Sequence, residues 1–354
     1  MTECVPAEGS AGPPALEAAG MRKHFTLARG ARAIGRPRRI VHAVDDVTVA
    51  LSAGEIVAVV GESGSGKTTL GRLMARLEPP TSGSLRLAGQ AVPSGGTRAL
   101  RAFRRRVQVV FQDPYASLNT AHTVSYHIER PLLLHKIASS RAQAREMAIT
   151  TLERVHLQPG AAFADRYPQQ LSGGQRQRVA IARALATNPA VIVADEPVAS
   201  LDVSSRLSIL NLFAEIAHAG ASLLYITHDI ASARYFADRI IVMYAGNIVE
   251  QGPAEQVVSD PQHPYTRLLI DSAPDPERRD ADRRTPERGE EIASLITPPP
   301  GCRFHPRCPH VMPVCSQQQP PQFAPSPGRS AGCWLHSDRE TTPSSTNSFE
   351  GKSR

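Results

Sequence analysis

The chain has 354 residues and 41% of them are hydrophobic, so it is long enough for about two domains and apolar enough to bury a core. Its formal net charge of +7 suits anionic partners such as nucleotide phosphates, lipid head groups or nucleic acid, although an arginine-rich proteome gives the same balance. Basic residues do not interleave with aromatic ones, as RNA binding would require. No apolar run approaches the roughly 18 residues that span a bilayer. Residues 1–20 lack the basic segment followed by an apolar segment that marks a secretory signal, so we expect a cytosolic protein.

The first 20 residues are rich in Ala, Gly and Pro, which predicts a disordered N-terminus over residues 1–20. From residue 21 to 273, short β-branched runs alternate with helix-compatible stretches. This alternation predicts an α/β domain whose mostly parallel sheet is covered on both faces. Apolar residues then recur at helical spacing between residues 120 and 160, which predicts a helical insertion within about 113–170. The strand candidates are Ile56–Val60, Val107–Phe111, Val191–Ala194, Leu223–Ile226 and Ile240–Met243.

A phosphate-binding P-loop pattern, GESGSGKT, covers Gly61–Thr68. It lies between a strand candidate and a helical stretch, where backbone N–H groups and the helix N-terminus can surround a phosphate. We expect Lys67 to reach the β- and γ-phosphates and the Thr68 hydroxyl to bind Mg²⁺. The pattern alone does not choose between ATP and GTP. The nucleotide contacts expected in this segment are Gly61, Ser63, Gly64, Ser65, Gly66, Lys67, Thr68 and Thr69.

Two acidic residues, Asp195 and Glu196, end the apolar run Val191–Ala194. Alone, they could equally cap a helix. Beside a P-loop, Asp195 is expected to hold Mg²⁺ from its second side and Glu196 to polarise the attacking water as a general base.

The segment Leu171–Gln175 reads LSGGQ and opens an arginine-rich amphipathic helix. It is the signature sequence of the ATP-binding-cassette (ABC) family, which the chain resembles. Further family motifs occur in the family's order: a glutamine-loop candidate at Gln112, a D-loop at Ser200–Asp202 and a switch histidine at His228. The resemblance implies an α/β P-loop NTPase of the ABC cassette type, with a mostly parallel core sheet, a β subdomain, a helical insertion and a Cys-containing C-terminal extension.

In this family two cassettes pair head to tail, and ATP on one P-loop is covered by the signature of the other. The resemblance therefore implies a second ABC ATPase subunit, either a copy of this chain or a paralogue. Gln112 would sense Mg²⁺ and water and relay occupancy to a transmembrane partner, and His228 would bridge the γ-phosphate and the D-loop. Phe25 would stack on adenine, although a lone Phe is more often a core residue. The partner's nucleotide would be contacted by Leu171, Ser172, Gly173, Gly174, Gln175 and Asp202.

Within the family, the chain most resembles the ATPases of oligopeptide/dipeptide importers, through Phe111–Asn119, His263–Leu269 and Gly301–Pro309. This implies an ATP-hydrolysing subunit, peripheral on the cytoplasmic face of the cell membrane. Its partners would be two transmembrane permease subunits and, indirectly, an extracytoplasmic substrate-binding protein, with no nucleic acid. Dipeptides, longer peptides, nickel or sugars are all open as cargo. The alternative is a non-transport ABC ATPase of translation or DNA repair. Such proteins carry a second cassette, a coiled coil or zinc modules, which this sequence lacks.

After residue 273 we expect a charged linker (274–297), a Cys-rich extension (298–336) and a disordered tail (337–354). The Pro-rich extension lacks a core of its own, so it should be either disordered or held by its cysteines. Clustered cysteines in a reducing cytosol favour metal or cluster ligation over disulfides, and the absence of a CxxC pair argues against a zinc ribbon. The family resemblance implies a 4Fe-4S cluster, with zinc or unliganded thiols as alternatives. Arg303 and Arg307 are expected to offset the cluster's charge. The four ligands would be Cys302, Cys308, Cys315 and Cys333.

Overall fold

The computed structural model describes residues 13–27, 39–93, 95–272 and 294–338. The expectations for residues 1–12, for most of the linker and for the tail beyond residue 338 lie outside these ranges. The strands are β1 (Leu16–Thr26), β2 (Ile40–Leu51), β3 (Ile56–Val60), β4 (Ser82–Leu87), β5 (Gln90–Ala91), β6 (Val107–Val110), β7 (Val191–Asp195), β8 (Ser222–Ile226), β9 (Arg239–Tyr244), β10 (Asn247–Pro253) and β11 (Ser330–Ala331). The helices are α1 (Lys67–Met74), α2 (Thr97–Arg106), α3 (Pro114–Ser117), α4 (Val124–Leu134), α5 (Arg141–Arg154), α6 (Gly160–Ala164), α7 (Gly173–Leu185), α8 (Val203–His218), α9 (Ile230–Phe236), α10 (Ala254–Ser259) and α11 (Pro264–Asp271).

Two sheets form the cassette. The larger has seven strands in the order β11-β10-β9-β3-β8-β7-β6. Its pairs from β9 to β6 are parallel, while β10 and β11 join antiparallel at one edge. The smaller sheet, β2-β1-β4-β5, is antiparallel throughout. The predicted α/β class with a mostly parallel core sheet is confirmed.

Strand β3 shows why the strand candidates are apolar at every position instead of alternating between apolar and polar residues. All five of its residues are buried. Side chains alternate between the two faces of a strand, and here Val57 and Val59 pack toward α1 and the antiparallel sheet. Ile56, Ala58 and Val60 instead pack toward the helices on the opposite face. The β3–α1 loop therefore begins at the end of a strand that is packed on both of its faces.

Helices α3 to α6 lie in the stretch where the helical insertion is expected. Their apolar residues, such as Ile128 in α4 and Leu152 in α5, join the same core cluster as Val179 in α7. Among the described residues, no helix combines the length and the apolar character that a bilayer crossing requires.

The expectation of disorder is wrong for residues 16–20, because β1 begins at Leu16. Leu16 and Ala18 are fully buried, and they pair in register with Leu51 and Val49 of β2. Small Ala and Gly residues dominate this stretch, so its composition resembles a linker. The partner strand that orders it lies more than twenty residues farther along the chain.

The extension over residues 294–338 is ordered, and more than its cysteines holds it. Its Phe304 is 1% exposed and packs against Tyr244 and Tyr265 of the cassette. Arg329 is also buried and pairs with Glu250, which is fully buried in β10. Of the two expectations for this segment, disorder does not apply to residues 294–338, and the hold by the cysteines stays a prediction.

Candidate functional site

The P-loop connects β3 to α1 and leaves the N-terminus of α1 without a side-chain cap. Gly66 precedes the helix with φ at 102°, and a Cβ there would lie 2.2 Å from the Ala43 carbonyl oxygen. Only glycine fits such a position. The uncapped N–H groups and the helix dipole therefore face the space where a phosphate can bind.

Lys67, the first residue of α1, is 5% exposed. Its ammonium donates to the carbonyl oxygens of Gly61 and Glu62, each at 2.8 Å. Burial lowers the pKa of Lys67, while Glu196, Asp195 and Glu62 act in the opposite direction. An ammonium among three carboxylates and held by loop carbonyls is placed to turn toward incoming phosphates.

Two of the three predicted magnesium ligands, Thr68 and Asp195, meet in the structure, while the third, Gln112, contacts Glu196. Thr68 donates its hydroxyl to Asp195 Oδ1 at 3.0 Å. Burial raises the pKa of Asp195, and the Thr68 hydrogen bond partly offsets this. A hydroxyl and a carboxylate oxygen at this separation are the donor set that Mg²⁺ takes in P-loop proteins, so the residues present fit the ion.

Glu196, immediately after β7, is contacted by both other members of the predicted catalytic set. Gln112 Nε2 donates to Glu196 Oε2 at 3.1 Å, and His228 Nδ1 lies 3.3 Å from Glu196 Oε1. Glu196 itself has φ at 46°, a region that non-glycine residues seldom adopt. Its N–H donates to the Ile226 carbonyl at 2.9 Å, which holds this backbone in place. Three strand ends thus converge on one carboxylate.

The signature segment forms a separate group at the N-terminus of α7. Ser172 Oγ accepts from the Gln175 N–H at 3.3 Å, and Gln175 Oε1 accepts from the Ser172 N–H at 3.0 Å, which together make a capping box. Leu171 is buried beneath it. A cavity of about 240 Å³ beside Ser172 and Gly174 is lined by α7 and α8, with no P-loop residue among its walls.

The D-loop residue Asp202 caps α8 next to this segment. It accepts from the Ser205 N–H at 2.9 Å and from the Ser204 hydroxyl at 2.7 Å. These hydrogen bonds hold the pKa of Asp202 below its usual range. Gly173 faces Leu201 from the same loop, so signature and D-loop form one unit apart from the chain's own P-loop.

Phe25 is half-buried in β1, and the Lys23 ammonium lies 4.7 Å from its ring centroid. It pairs in register with Val41. Val41 is two residues before Ala43, whose carbonyl limits the space at Gly66. The ring therefore lies on the strand pair that borders the P-loop, where the adenine contact is expected.

Sequence reasoning missed a link between the glutamine loop and the signature helix. The Arg176 guanidinium lies over the Tyr115 ring, 3.6 Å from its centroid, and also contacts the Tyr115 hydroxyl. Arg176 is 7% exposed and donates to the Pro168 carbonyl as well. The FQDPY and LSGGQR segments each contain one partner, but nothing in the local pattern pairs them.

All four predicted ligand cysteines are free thiols, and Cys302 N–H donates to the Cys315 carbonyl at 2.8 Å. Burial is the main cause, and the neighbouring cysteines a smaller one, that raises the pKa of Cys302 to about 11 and that of Cys333 to about 12. The other three cysteines act electrostatically on Cys333, so the four thiols share one region of the extension, but no three of their sulfur atoms lie within 4.8 Å of one another. Thiolates are the ligands of both iron–sulfur clusters and zinc. Cys4 lies outside the described residues.

The expected role of Arg303 and Arg307 is corrected by their partners. Arg303 pairs with Asp45 of β2, and Arg307 pairs with Glu62 of the P-loop. Both guanidinium groups are thus already matched by cassette carboxylates, so neither is reserved to offset charge at the cysteines.

The parallel sheet, the uncapped P-loop helix, the Thr68–Asp195 pair and the separate signature unit define an ABC-type ATPase. The comparisons agree, since residues 44–199 match the ABC transporter family and residues 249–315 match the oligopeptide/dipeptide transporter C-terminal region. The Escherichia coli K12 dipeptide transport ATP-binding protein DppF is 42% identical over 308 residues, which cover 87% of this chain and 90% of that protein. The chain therefore belongs to the ATP-binding proteins of the oligopeptide/dipeptide ABC transporters.

Two further relatives support this placement. The Bacillus subtilis 168 oligopeptide transport ATP-binding protein AppF is 40% identical over 329 residues, which cover 91% of this chain and 97% of that protein. Among solved structures, the ATP-binding cassette MJ0796 in a dimeric, post-hydrolysis state bound to ADP and Pi is 31% identical. It covers 68% of this chain and 98% of its own, with a TM-score of 0.59.

Proposed function

We propose that the protein is the ATP-hydrolysing subunit of an importer for peptides. The observation that carries the hydrolytic part is the contact of Gln112 and His228 with the two oxygens of Glu196. The peptide class is supported by the match of residues 249–315 to the peptide-transporter C-terminal region. That match favours transport over the alternative role in translation or DNA repair.

Hydrolysis in this site depends on positioning and charge. Lys67 moves from the loop carbonyls to the β- and γ-phosphates, and Phe25 stacks on the adenine. Thr68, Asp195 and Gln112 would hold Mg²⁺, which would supply charge neutralisation at the phosphate oxygens. Glu196 accepts the proton of the attacking water at a carboxylate oxygen, while His228 fixes that carboxylate and contacts the γ-phosphate.

The signature side of the pocket comes from a second cassette, since Ser172 and Gly174 lie on a unit separate from this chain's own P-loop. The partner is another copy of the chain or a related subunit. Closure of the pair on two ATP molecules would move two permease subunits, with the glutamine loop relaying occupancy through Tyr115 and Arg176. A substrate-binding protein outside the membrane would deliver the peptide, and this subunit would act on the cytoplasmic face.

The base assignment is tested by Glu196→Gln, which keeps the shape of the side chain and removes its basicity. We expect steady-state ATP hydrolysis to fall by roughly 100-fold or more while nucleotide binding persists, which would trap an ATP-bound dimer. Glu255→Gln, a carboxylate change at the exposed pair with Arg234, is the matched control. Normal hydrolysis in Glu196→Gln would remove Glu196 from the mechanism.

Peptide import is tested by deleting the gene and measuring uptake of labelled dipeptides and longer peptides. Uptake should fall and return when the wild-type chain, but not Glu196→Gln, is supplied. Unchanged uptake of both peptide classes would contradict the substrate class while leaving the ATPase assignment intact.

We infer further that Cys302, Cys308, Cys315 and Cys333 hold a 4Fe-4S cluster, or zinc, as a structural anchor of the extension. Elemental analysis of anaerobically purified protein distinguishes the two, because only the cluster brings iron with acid-labile sulfide. Cys308→Ser should lose the metal, whereas Cys4→Ser should keep it. Protein without either metal would refute this assignment.

A further inference from the structure

The extension contacts the phosphate-binding loop directly. Arg307 donates from Nη1 to Glu62 Oε2 at 2.9 Å and from Nη2 to Glu62 Oε1 at 3.0 Å. This is the bidentate geometry in which a guanidinium holds a carboxylate most strongly. Glu62 is the second residue of the P-loop, and Arg307 is 245 residues farther along the chain.

Glu62 is held from three directions. Its carboxylate meets Arg307, and its N–H donates to the Tyr265 hydroxyl of α11 at 2.8 Å. Its carbonyl accepts from the Lys67 ammonium at 2.8 Å. The residue thus joins the extension, the segment after the cassette and the lysine that binds phosphate.

Arg307 is itself fixed by packing. Its guanidinium lies 5.8 Å from the centroid of Tyr244 and 5.7 Å from that of Phe304, and the side chain is 18% exposed. An arginine ordered in this way loses little further entropy when it pairs with a carboxylate. The contact is therefore part of the packed junction rather than a mobile surface pair.

A carboxylate at Glu62 is unfavourable for an anionic ligand unless it is neutralised. Glu62 also acts on the Lys67 ammonium, since its charge works against the lowering of the Lys67 pKa by burial. Without Arg307, Glu62 would repel the phosphates and compete with them for Lys67.

We propose that Arg307 is a positioning residue for the P-loop, through which the Cys-rich extension sets the affinity of the cassette for nucleotide. This inference rests on the proposed ATPase function and adds the extension to its nucleotide site. Arg307 adjoins Cys308, and Arg303 adjoins Cys302 and pairs with Asp45. The turn between these cysteines therefore presents both arginines to the cassette, and loosening that turn withdraws them together.

The test compares Arg307→Gln with Arg329→Gln. Arg329 also joins the extension to the cassette through buried ion pairs, but its partners are Glu250 and Asp260 rather than the P-loop. We expect Arg307→Gln to raise the Kd for ATP roughly tenfold, the usual scale of coupling between linked sites. Arg329→Gln should lower the melting temperature while leaving the Kd for ATP within twofold of wild type, about the scatter of such titrations.

Three further variants separate positioning from folding. Glu62→Gln removes the partner from the cassette side, and the double variant Glu62→Gln/Arg307→Gln should bind ATP no more weakly than Arg307→Gln alone. Arg307→Lys keeps the positive charge but cannot make two parallel hydrogen bonds to Glu62. Its affinity for ATP should therefore lie between those of Arg307→Gln and the wild type. ATP binding is measured by titration, beside thermal unfolding of each variant.

The outcomes are distinguishable. A wild-type protein that does not bind ATP refutes the proposed function itself. ATP binding by wild type with an unchanged Kd in Arg307→Gln overturns the positioning role. Equal weakening by Arg307→Gln and Arg329→Gln also overturns it, because both then report only a loosened extension.

Discussion

The N-termini of α1 and α7 use the same backbone chemistry in opposite ways. At α1 the residue before the helix is Gly66, and no side chain caps the free N–H groups. At α7 Ser172 and Gln175 cap each other's backbone N–H groups. Gly66 is half-buried beside the buried Lys67, whereas Ser172 is exposed beside the D-loop.

This difference indicates a division of labour between the two helix ends. The α1 end has unsatisfied donors that a bound phosphate would complete. The α7 end is stable without a ligand, so it can keep its structure at the surface until another subunit brings a phosphate. A helix end that is already capped holds its shape before the dimer closes.

The largest effect should come from Lys67→Ala, which removes the only ammonium at the α1 end among the described residues. We expect hydrolysis to fall by roughly 100- to 1,000-fold, the cost of losing a preorganised charge at a reacting phosphate. Lys136→Ala is the control, since Lys136 is exposed just after α4 and outside the nucleotide site. ATPase assays on both variants decide the comparison, and hydrolysis by Lys67→Ala close to wild type would contradict it.

The α7 end is tested by Ser172→Ala against Ser140→Ala. Ser140 caps α5 by accepting from the Gln143 N–H at 3.2 Å, the same device without a signature role. Each change should cost about 1 kcal/mol of unfolding free energy, but only Ser172→Ala should reduce hydrolysis. Equal hydrolysis in the two variants would show that the Ser172 cap has no part in the pocket.

Mixing Ser172→Ala with Lys67→Ala sharpens the same point. In a dimer of this chain with itself, mixed pairs contain one pocket with both an intact P-loop and an intact signature. Hydrolysis should then return to roughly a quarter of the wild-type rate at equal mixing of the two chains. A mixture that hydrolyses ATP no faster than the average of the two variants measured alone would exclude the self-dimer.

A third helix end gives a smaller, pH-dependent effect. His263 caps α11 with its Nδ1 accepting from the Tyr265 N–H at 3.0 Å, and burial lowers the pKa of His263 to about 3. The unfolded chain binds this proton more readily, so stability should fall by up to about 1.4 kcal/mol per pH unit as pH drops from about 6.5 toward 3. His263→Asn keeps a capping acceptor and should flatten this slope in unfolding measured across the same pH range. If stability depends on pH equally steeply in His263→Asn, a group other than His263 causes the acid sensitivity.

The parallel strands and the P-loop could be predicted because their signals are local. The run Ile56–Val60 is apolar because both of its faces are covered, and the glycines that follow are spaced by the phosphate they surround. The pairs Arg307–Glu62, Arg303–Asp45 and Arg176–Tyr115 could not be predicted from the sequence. Each joins residues far apart along the chain, and nothing in the sequence around one partner points to the other. Strand β1 was missed for a related reason, since only its distant partner makes it a strand.

Strand β11 has a consequence for how the chain can be shortened. It covers the outer edge of β10, where Glu250 and Gln251 pair with Ala331 and Ser330. A chain that ended before residue 329 would leave that edge open to pairing with other molecules, and it would leave the Glu250 carboxylate in the interior without Arg329. The isolated cassette would therefore tend to aggregate, and strand β11 protects it from this by pairing with β10.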